Sequence, residues 1–305
     1  MTLLMADEVR DAMEHGRPVV ALESALLAHG LPRPGNLETA LELEDLVREG
    51  GAVPATVAVL DGRVRVGLDK AELERVATDE KLRKLGHRDL APALADGACG
   101  ATTVSATGFV ASRTGIKVLA TGGLGGVHRG WSQSQDESAD LRMLASTRIT
   151  VVCSGVKSVL DVPATLQRLE TLGVTVIGYG TDTFPGFLMT SSGRPVGWTA
   201  HDPRTVVSAM RAQETLGGPC SAMVVAHPVP EDRQLAPDVH DRVLADALAA
   251  CERAGVTGPE VTPHLLDHLM RHTGGAALEA NLAALRGNAR LASRIAALWT
   301  ATAHT

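Results

Sequence analysis

Two residues of the 305-residue chain stand where catalytic groups commonly lie in α/β proteins. Lys157 follows the apolar run ITVVC by four positions, and open α/β sheets place their ligands at the ends of such strands. A partly buried lysine there can act as an amine nucleophile and form a Schiff base. Glu23 closes the run PVVALE, where burial would raise its pKa into the range of a general acid. The simpler alternatives are that Lys157 is a surface lysine and that Glu23 is a helix cap.

The segment TGGLGGVHRG, residues 121–130, follows another apolar run and contains five glycines. Glycine permits positive φ angles and leaves backbone N–H groups open to an anion, so this segment could cradle a phosphate. His128 stands where the dinucleotide-binding fingerprint needs its third glycine, and the sequence contains no P-loop motif. A glycine-rich turn without any ligand is the competing interpretation.

Asp136 and Asp140 follow this segment, four residues apart at a predicted helix start. In a helix this spacing places both carboxylates on one face. Two oxygen ligands beside a phosphate loop would suit Mg²⁺ or Mn²⁺ completed by water. Acidic residues are also typical of a solvated helix N-terminus, which needs no metal.

Ser154 and Lys157 form the pattern S-x-x-K, which occurs in acyl-transfer enzymes. Neither of the partner motifs S-D-N and K-T-G accompanies it. A serine hydrolase that uses Ser154 is therefore a second hypothesis for the chain.

The elements that must position these residues alternate along the chain, which predicts a layered α/β fold. Short apolar runs typical of strands buried on both faces occupy residues 18–22, 56–60, 116–120, 149–153, 174–178 and 222–226. Helical spacing is found at residues 37–49, 161–172 and 203–216, with Asn36 and Asp202 as N-cap candidates. Asp61-Gly62 between two alternating runs predicts a hairpin, and so the central sheet is expected to be mixed.

Three helices are predicted from about residue 237 to the C-terminus, as a cap on the sheet or as a subunit contact. The last of them has apolar residues on more than one face, which favours an oligomer. The chain shows no internal repeat and no Ser- or Pro-rich linker, so we predict a single domain over residues 1–305.

Composition excludes several classes of function. A net charge of −6 without a long basic run argues against nucleic-acid binding. The N-terminus carries acids where a signal peptide needs bases, and no apolar run is long enough to cross a bilayer. We therefore expect a cytoplasmic protein with no membrane partner. Aromatic residues are only 2%, which predicts an aliphatic core.

The order of several motifs resembles the pseudouridine-5′-phosphate glycosidases, also called the indigoidine synthase A-like family. The matching blocks cover nearly the whole chain: VALES, HGLPRPGNLETA, GAVPAT, KLGHRDL, GATTVSAT, ATGGLGGVHRG, DESADL, VVCSGVKSVLD, VIGYGTDTFPGF and LEANLAALRGNARLA. The resemblance implies an α/β/α sandwich, a homotrimer, and cleavage of the C-glycosidic bond of pseudouridine 5′-phosphate to uracil and ribose 5-phosphate. The reaction would be reversible.

The resemblance also implies roles for individual residues. Lys157 would be the covalent nucleophile, Glu23 the proton donor, and Asp136 the ligand of a Mn²⁺ ion, with Mg²⁺ as a substitute. The positions implied to contact the sugar phosphate or the base are Lys84, Val104, Ser138, Ala139, Asp140 and Asn281.

The sequence departs from the usual family pattern at three places. Gly86-His87 replaces the commoner Ser-Arg, His227 stands where Asn is usual before Pro228, and Gly287 replaces an Asn before Asn288. The proposed nucleophile, acid and metal ligand are unchanged. Besides the C-glycosidase and the Ser154 hydrolase, a phosphoribosyl-binding protein without catalytic activity is a third hypothesis.

Overall fold

The computed structural model describes residues 3–218 and 220–302, and a β-sheet with helices on both faces forms its centre. The strands are β1 (Leu3–Met5), β2 (Val19–Glu23), β3 (Val53–Leu60), β4 (Arg63–Val66), β5 (Arg83–Leu85), β6 (Gly100–Thr102), β7 (Val118–Ala120), β8 (Thr150–Cys153), β9 (Thr175–Tyr179), β10 (Thr183–Phe184), β11 (Arg194–Pro195), β12 (Thr199–Ala200) and β13 (Met223–Ala226). The helices are α1 (Asp7–Glu14), α2 (Gly35–Glu49), α3 (Lys70–Thr78), α4 (Leu90–Ala95), α5 (Val104–Arg113), α6 (Trp131–Ser134), α7 (Ala139–Ser146), α8 (Val162–Thr171), α9 (Pro203–Leu216), α10 (Pro237–Arg253), α11 (Val261–His272) and α12 (Ala276–Ala301).

The main sheet is mixed, as the sequence predicted. Its order is β1-β4-β3-β2-β7-β8-β13-β9-β12, with β6 beside β3 and β5 beside β6. The strands from β3 through β2, β7, β8 and β13 to β9 run parallel, whereas β3 pairs antiparallel with β4 and β6. The carboxyl ends of the parallel strands therefore meet at one edge of the sheet.

The predicted hairpin joins β3 to β4. Leu60 pairs with Arg63, and the two turn residues Asp61 and Gly62 have φ angles of 50° and 68°. Both angles lie in the left-handed region, which is the requirement of a tight two-residue turn that matches the twist of its strands.

Apolar side chains cover both faces of the central strands. Val20 and Leu22 of β2 belong to the cluster that packs against α2, α9 and α12, whereas Val19 and Ala21 belong to the cluster on the opposite face. Successive residues of a strand point to opposite faces, so a strand buried on both faces needs a continuous apolar run. The layered α/β fold predicted from these runs, and the α/β/α sandwich that the family resemblance implies, are confirmed.

The C-terminal region forms the three predicted helices α10, α11 and α12. The 26-residue helix α12 lies across one face of the sheet and contacts α2, α9, β7 and β8. Its apolar sides, including Leu285, Leu291 and Ile295, are buried within the same chain. The apolar faces of this helix are thus accounted for without a subunit contact. None of the helices in the described ranges is long and apolar enough to cross a membrane.

The two predicted N-caps have different outcomes. The carboxylate of Asp202 accepts a hydrogen bond from the N–H of Arg204 at 2.8 Å and caps α9 as expected. Asn36 is not a cap, because α2 already begins at Gly35. The buried Asn36 amide instead donates to the carbonyl oxygens of Leu27 at 2.9 Å and Ala77 at 2.8 Å. It ties the π-helical turn Leu26–Gly30 to α3.

Candidate active site

The predicted catalytic residues converge at the carboxyl edge of the parallel strands. Glu23 is the last residue of β2, and Thr121 follows β7. The loop after β8 carries Lys157, β5 carries Lys84, and α5 begins at Val104. This edge is where open α/β sheets bind ligands, because loops and helix N-termini from neighbouring strands face one crevice there.

Glu23 is buried, with 9% of its surface exposed. The hydroxyl of Thr121 donates a hydrogen bond to its Oε1 atom. Burial raises the pKa of Glu23, and the negative charge of Asp140 adds to this effect. The positive charges of Lys157 and Lys84 and the Thr121 hydrogen bond oppose it. The raised pKa keeps a proton available on this carboxyl group, as a general acid requires.

Lys157 is half-buried on a loop that is fixed by backbone hydrogen bonds. Its N–H donates to the carbonyl oxygen of Leu124 at 2.9 Å, and its own carbonyl accepts from Leu160 at 2.9 Å. The Nε of Arg129 donates to the carbonyl of Val159 in the same turn at 3.1 Å. The backbone of the predicted nucleophile is therefore anchored on both sides.

The charge of Lys84 lies within electrostatic reach of Lys157, Asp140 and Glu23. Much of the Lys84 side chain is exposed, yet the walls of the crevice remove water from around the charged end. This desolvation is the largest cause that lowers the pKa of Lys84, and the positive charge of Lys157 lowers it further. Asp140 and Glu23 act in the opposite direction. The crevice thus holds two amines between two carboxyl groups.

Asp140 is a buried carboxylate that organises the site. It is 5% exposed, and its two oxygens accept hydrogen bonds from the N–H groups of Ser105 and Gly125, both at 2.9 Å. The side chain of Ser138 caps α7 by accepting from the N–H of Asp140 at 3.2 Å. These contacts join the start of α5, the glycine-rich segment and the start of α7.

The idea that Asp136 and Asp140 share a helix face is wrong. Helix α7 begins at Ala139, so Asp136 lies before the helix. The four-residue spacing therefore does not place Asp136 and Asp140 on one helix face. The Asp136 side chain is 36% exposed, and its Oδ2 lies 3.6 Å from Nδ1 of His128. The N–H of His128 donates to the carbonyl of Asp136 at 3.0 Å, which holds the two residues together.

Residues 3–218 and 220–302 contain no group of three or more His, Cys, Asp or Glu side chains that could enclose a metal ion. An ion bound here would therefore take at most two such side chains from the described residues and complete its shell with other oxygen atoms, including water. This donor set fits Mg²⁺ or Mn²⁺, which accept hard oxygen ligands and retain several waters. It does not fit a structural zinc site, which needs four protein ligands.

The glycine-rich segment differs from the predicted anion cradle. The N–H groups of Leu124, Gly125, Val127 and His128 are all engaged by protein acceptors. Its glycines mostly permit close approach: a Cβ on Gly123 would meet the ring of Phe187 at 2.5 Å. Within residues 121–130 only Gly130 has a positive φ angle. The segment is a tightly packed support for the site rather than an open loop.

Three further candidates occupy distinct places. Ser154 is fully buried, and its Oγ accepts a hydrogen bond from Nδ2 of Asn288 at 3.1 Å. Val104 is buried at the N-terminus of α5. Asn281 of α12 is 2% exposed, and its buried Oδ1 has no hydrogen-bond partner in the described part of the chain. It lies against the start of the glycine-rich segment, since a Cβ on Gly122 would be 3.1 Å from this oxygen.

Sequence reasoning missed two polar groups that complete the site. Thr121 was noted only as the start of a glycine-rich segment, although its hydroxyl contacts the predicted acid. Asn288 is buried, and its amide reaches the backbone of Thr121 at 2.8 Å. Both residues lie in motifs quoted above, but nothing in those motifs indicates these hydrogen bonds, and the packing of α12 on the strand ends brings Asn288 to Thr121.

The sequence matches the family described as "Indigoidine synthase A like protein" over residues 8–298. The chain belongs to this family. A relative from Streptomyces griseus is 68% identical over 293 residues, covering 96% of this chain and 91% of the relative. A relative from Frankia alni is 54% identical over 299 residues, covering 98% and 82%. Both are named pseudouridine-5′-phosphate glycosidase.

Two solved structures of the indigoidine synthase A-like fold agree closely with this one. The prealnumycin C-glycosynthase AlnA in complex with ribulose 5-phosphate has a TM-score of 0.92 and 37% identity, covering 100% of this chain and 99% of AlnA. An indigoidine synthase A-like protein from Thermotoga maritima has a TM-score of 0.89 and 36% identity, covering 98% and 97%.

Proposed function

We propose that this protein is a pseudouridine-5′-phosphate glycosidase that releases uracil and ribose 5-phosphate through a covalent lysine intermediate. The observation that carries the proposal is the single crevice in which Lys157 and Lys84 face a buried carboxyl group, Glu23, with a raised pKa. The names of the relatives support the substrate, and the sugar phosphate bound by AlnA supports a phosphorylated pentose as ligand.

The substrate explains why an amine is needed. Its base is joined through carbon, so protonation of a leaving oxygen or nitrogen, as in ordinary glycosidases, does not release it. In the proposed reaction the Lys157 amine bonds to C1′ while the bond from C1′ to the ring oxygen breaks, and that oxygen takes a proton. The nitrogen lone pair then forms C=N as the C1′–C5 bond breaks. C5 of the uracil takes a proton, and water hydrolyses the imine to ribose 5-phosphate and free lysine.

The remaining residues have supporting roles in this proposal. Glu23 supplies and recovers the protons, since burial keeps it protonated at higher pH than an ordinary carboxyl group. Lys84 and the N-terminus of α5 at Val104 offer positive charge to the phosphate. Ser138, Ala139 and Asp140, at the start of α7, would contact the sugar phosphate beside the start of α5, to which Asp140 is hydrogen-bonded. The unpartnered Oδ1 of Asn281 can accept an imide N–H of the base.

We also propose that Asp136 holds a Mn²⁺ ion, with Mg²⁺ as a weaker substitute. The exposed carboxylate of Asp136 is a hard oxygen donor beside the crevice. When bound, the ion supplies positive charge and ordered water near the substrate.

The nucleophile is tested by trapping. Borohydride added during turnover should reduce the imine and leave a ribose phosphate adduct on the peptide CSGVKSVL, located by mass spectrometry. Lys157→Ala should abolish the adduct and the release of uracil. Lys84→Ala is the matched control, because its proposed role is binding and some adduct at Lys157 should remain. An adduct on Lys84 would show that Lys84 is the nucleophile and Lys157 the binding residue. Turnover without any adduct would refute the covalent mechanism.

The two other hypotheses make different predictions. A serine hydrolase needs an accessible Ser154, whereas this hydroxyl is buried and bonded to Asn288; Ser154→Ala should therefore keep most of the uracil release. A binding protein would hold pseudouridine 5′-phosphate without releasing uracil.

We keep the homotrimer as a proposal from the family resemblance. Exposed tryptophans support an assembly surface, since Trp131 is 43% and Trp198 is 73% exposed. Light scattering at micromolar protein concentration tests this, and a monomer would refute it.

A further inference from the structure

A buried asparagine connects the loop whose Thr121 contacts the proposed acid with the loop that carries the proposed nucleophile. Asn288 of α12 is 0% exposed. Its Nδ2 donates to the carbonyl oxygen of Thr121 at 2.8 Å and to Oγ of Ser154 at 3.1 Å. Thr121 donates its hydroxyl proton to Glu23, and Ser154 begins the loop that leads to Lys157. One side chain therefore contacts both loops.

A histidine fixes the orientation of this asparagine. Oδ1 of Asn288 lies 3.1 Å from Nδ1 of His227. Both protons of Nδ2 are already donated, so the Asn288 oxygen is the acceptor and Nδ1 of His227 carries the proton. Burial lowers the pKa of His227, with the Asn288 hydrogen bond acting against it. At neutral pH the imidazole is therefore neutral, with its proton on Nδ1.

The imidazole ring is held in place from several sides. The N–H of His227 donates to the carbonyl of Cys153 at 2.8 Å, and its ring meets the Tyr179 ring edge to face with centroids 5.6 Å apart. Gly287 lies beneath it, where a Cβ would be 3.1 Å from Cε1 of the imidazole. A glycine inside a long helix costs about 1 kcal/mol relative to alanine, and the space taken by the histidine ring explains why it is present.

The contact shows that the His227 ring occupies the space beside Gly287. We propose that His227 is a positioning residue that orients Asn288, and that Asn288 thereby sets Thr121 against Glu23 and holds the Lys157 loop in register with it. The inference rests on the proposed function for its kinetic consequences. It concerns residues that touch neither the substrate nor the metal.

The Thr121 hydrogen bond gives the inference a measurable signature. This bond lowers the pKa of Glu23, against the effects of burial and of Asp140, while Lys157 and Lys84 also lower it. If Thr121 is displaced, the lysine and aspartate charges remain, but the hydrogen bond is lost. The pKa of Glu23 then rises further, and the Glu23 limb of the kcat profile moves to higher pH.

The kinetic test compares His227→Ala, His227→Asn and Asn288→Ala for uracil release across pH. His227→Ala should lower kcat about tenfold, since small misplacements of reacting groups carry losses of this size, while KM changes little because Lys84 and Val104 lie on other elements. The Glu23 limb should move to higher pH. Asn288→Ala should show the same loss of kcat and the same shift of the Glu23 limb, both of them larger than in His227→Ala. His227→Asn should restore most of the activity, because its amide can donate to Asn288.

A matched control is His15→Ala, since His15 is an exposed histidine at the C-cap of α1; its kcat and pH profile should equal those of the wild type. If His227→Ala lowers the free energy of unfolding but leaves kcat and the pH profile unchanged, the residue is structural only and the inference is overturned.

The histidine tautomer tests the geometry without turnover. Nitrogen NMR of the ¹⁵N-histidine-labelled protein should show His227 protonated on Nδ1, and the Asn288→Ala protein should lose this preference. Protonation on Nε2 in the wild type would overturn the inference even if the enzyme is active. A wild-type protein that does not cleave pseudouridine 5′-phosphate but has the Nδ1–H tautomer would instead refute the proposed function and leave the hydrogen-bonded arrangement supported.

Discussion

Asp140 and Asp136 stand four residues apart, yet the structure predicts opposite consequences when each is replaced by alanine. The carboxylate of Asp140 is buried and accepts two backbone hydrogen bonds at 2.9 Å. Its removal leaves the N–H groups of Ser105 and Gly125 without acceptors in a site with little water. Each buried donor left unsatisfied costs about 1–3 kcal/mol, so Asp140→Ala should lower the free energy of unfolding by about 2–6 kcal/mol.

Asp136→Ala is the matched control because it removes the same carboxylate from a position that is 36% exposed, with His128 at 3.6 Å. A surface substitution of this kind changes stability by about 0.5 kcal/mol or less. Asp140→Asn should fall between the two, because the amide oxygen can accept one of the two hydrogen bonds.

Urea unfolding, followed by circular dichroism with EDTA present, measures these differences. All proteins must be compared at one concentration, because assembly would stabilise the folded state. The denaturant slope should be unchanged, so that midpoints report stability. The reasoning is refuted if Asp140→Ala is as stable as the wild type, or if Asp136→Ala is destabilised equally. In the activity assay, the proposed site predicts that Mn²⁺ stimulates the wild type and does not stimulate Asp136→Ala.

Two further predictions follow from burial and from close packing. Because the pKa of Glu23 is raised in the folded protein, the contribution of Glu23 to stability is present below its ordinary pKa near 4.5 and is lost as the pH rises through the pKa in the folded protein. Glu23→Gln should therefore be inactive but more stable than the wild type at pH 8. Equal unfolding curves of the two proteins at pH 8 would contradict this. Gly123→Ala should lower the melting temperature, since a Cβ would meet the Phe187 ring and overpacking costs about 1–3 kcal/mol; Gly197→Ala, where a Cβ meets nothing within 4 Å, should not.

The strands and the hairpin could be predicted because each is specified locally. A parallel strand buried on both faces is apolar at nearly every position, so a run such as residues 149–153 indicates a strand even when the adjacent strands are unknown. The Asp61-Gly62 turn is specified by two residues that tolerate positive φ angles. Helix α9 was predicted with its bounds for the same reason, since Asp202 caps it and Pro203 begins it.

The errors arose where tertiary contacts decide what a local pattern does. Asn36 has the residue type of an N-cap, but its amide is used to hold the turn that follows Glu23. The glycines after Thr121 suggested an anion cradle, but the N–H of Gly125 bonds to Asp140, and the N–H groups of Leu124, Val127 and His128 in the same segment also bond to protein acceptors. No property of a single segment distinguishes these uses, because the partners lie on elements distant in sequence.

The site itself was predicted in its charged residues and missed in its neutral ones. Lys157 and Glu23 could be found because each follows or ends a recognisable strand. Thr121 and His227 also follow predicted strands, but a hydroxyl and a neutral imidazole are common in loops, so their residue types did not single them out. Asn288 lies inside α12, where an amide has no distinguishing pattern. Their roles depend on hydrogen bonds that join the strand ends to α12.

The charges of the crevice also limit what a single substitution can establish. The pKa of Glu23 depends on Lys157 and Lys84, and the pKa of Lys84 depends on Lys157 and Glu23. Removing the Lys157 amine therefore raises the pKa of Glu23 further and returns the pKa of Lys84 toward its ordinary value. Loss of activity in Lys157→Ala would then be expected even if Lys84 were the nucleophile, because the pKa values of both Glu23 and Lys84 shift. Loss of turnover cannot assign the nucleophile in a site coupled in this way, whereas the position of a trapped adduct can.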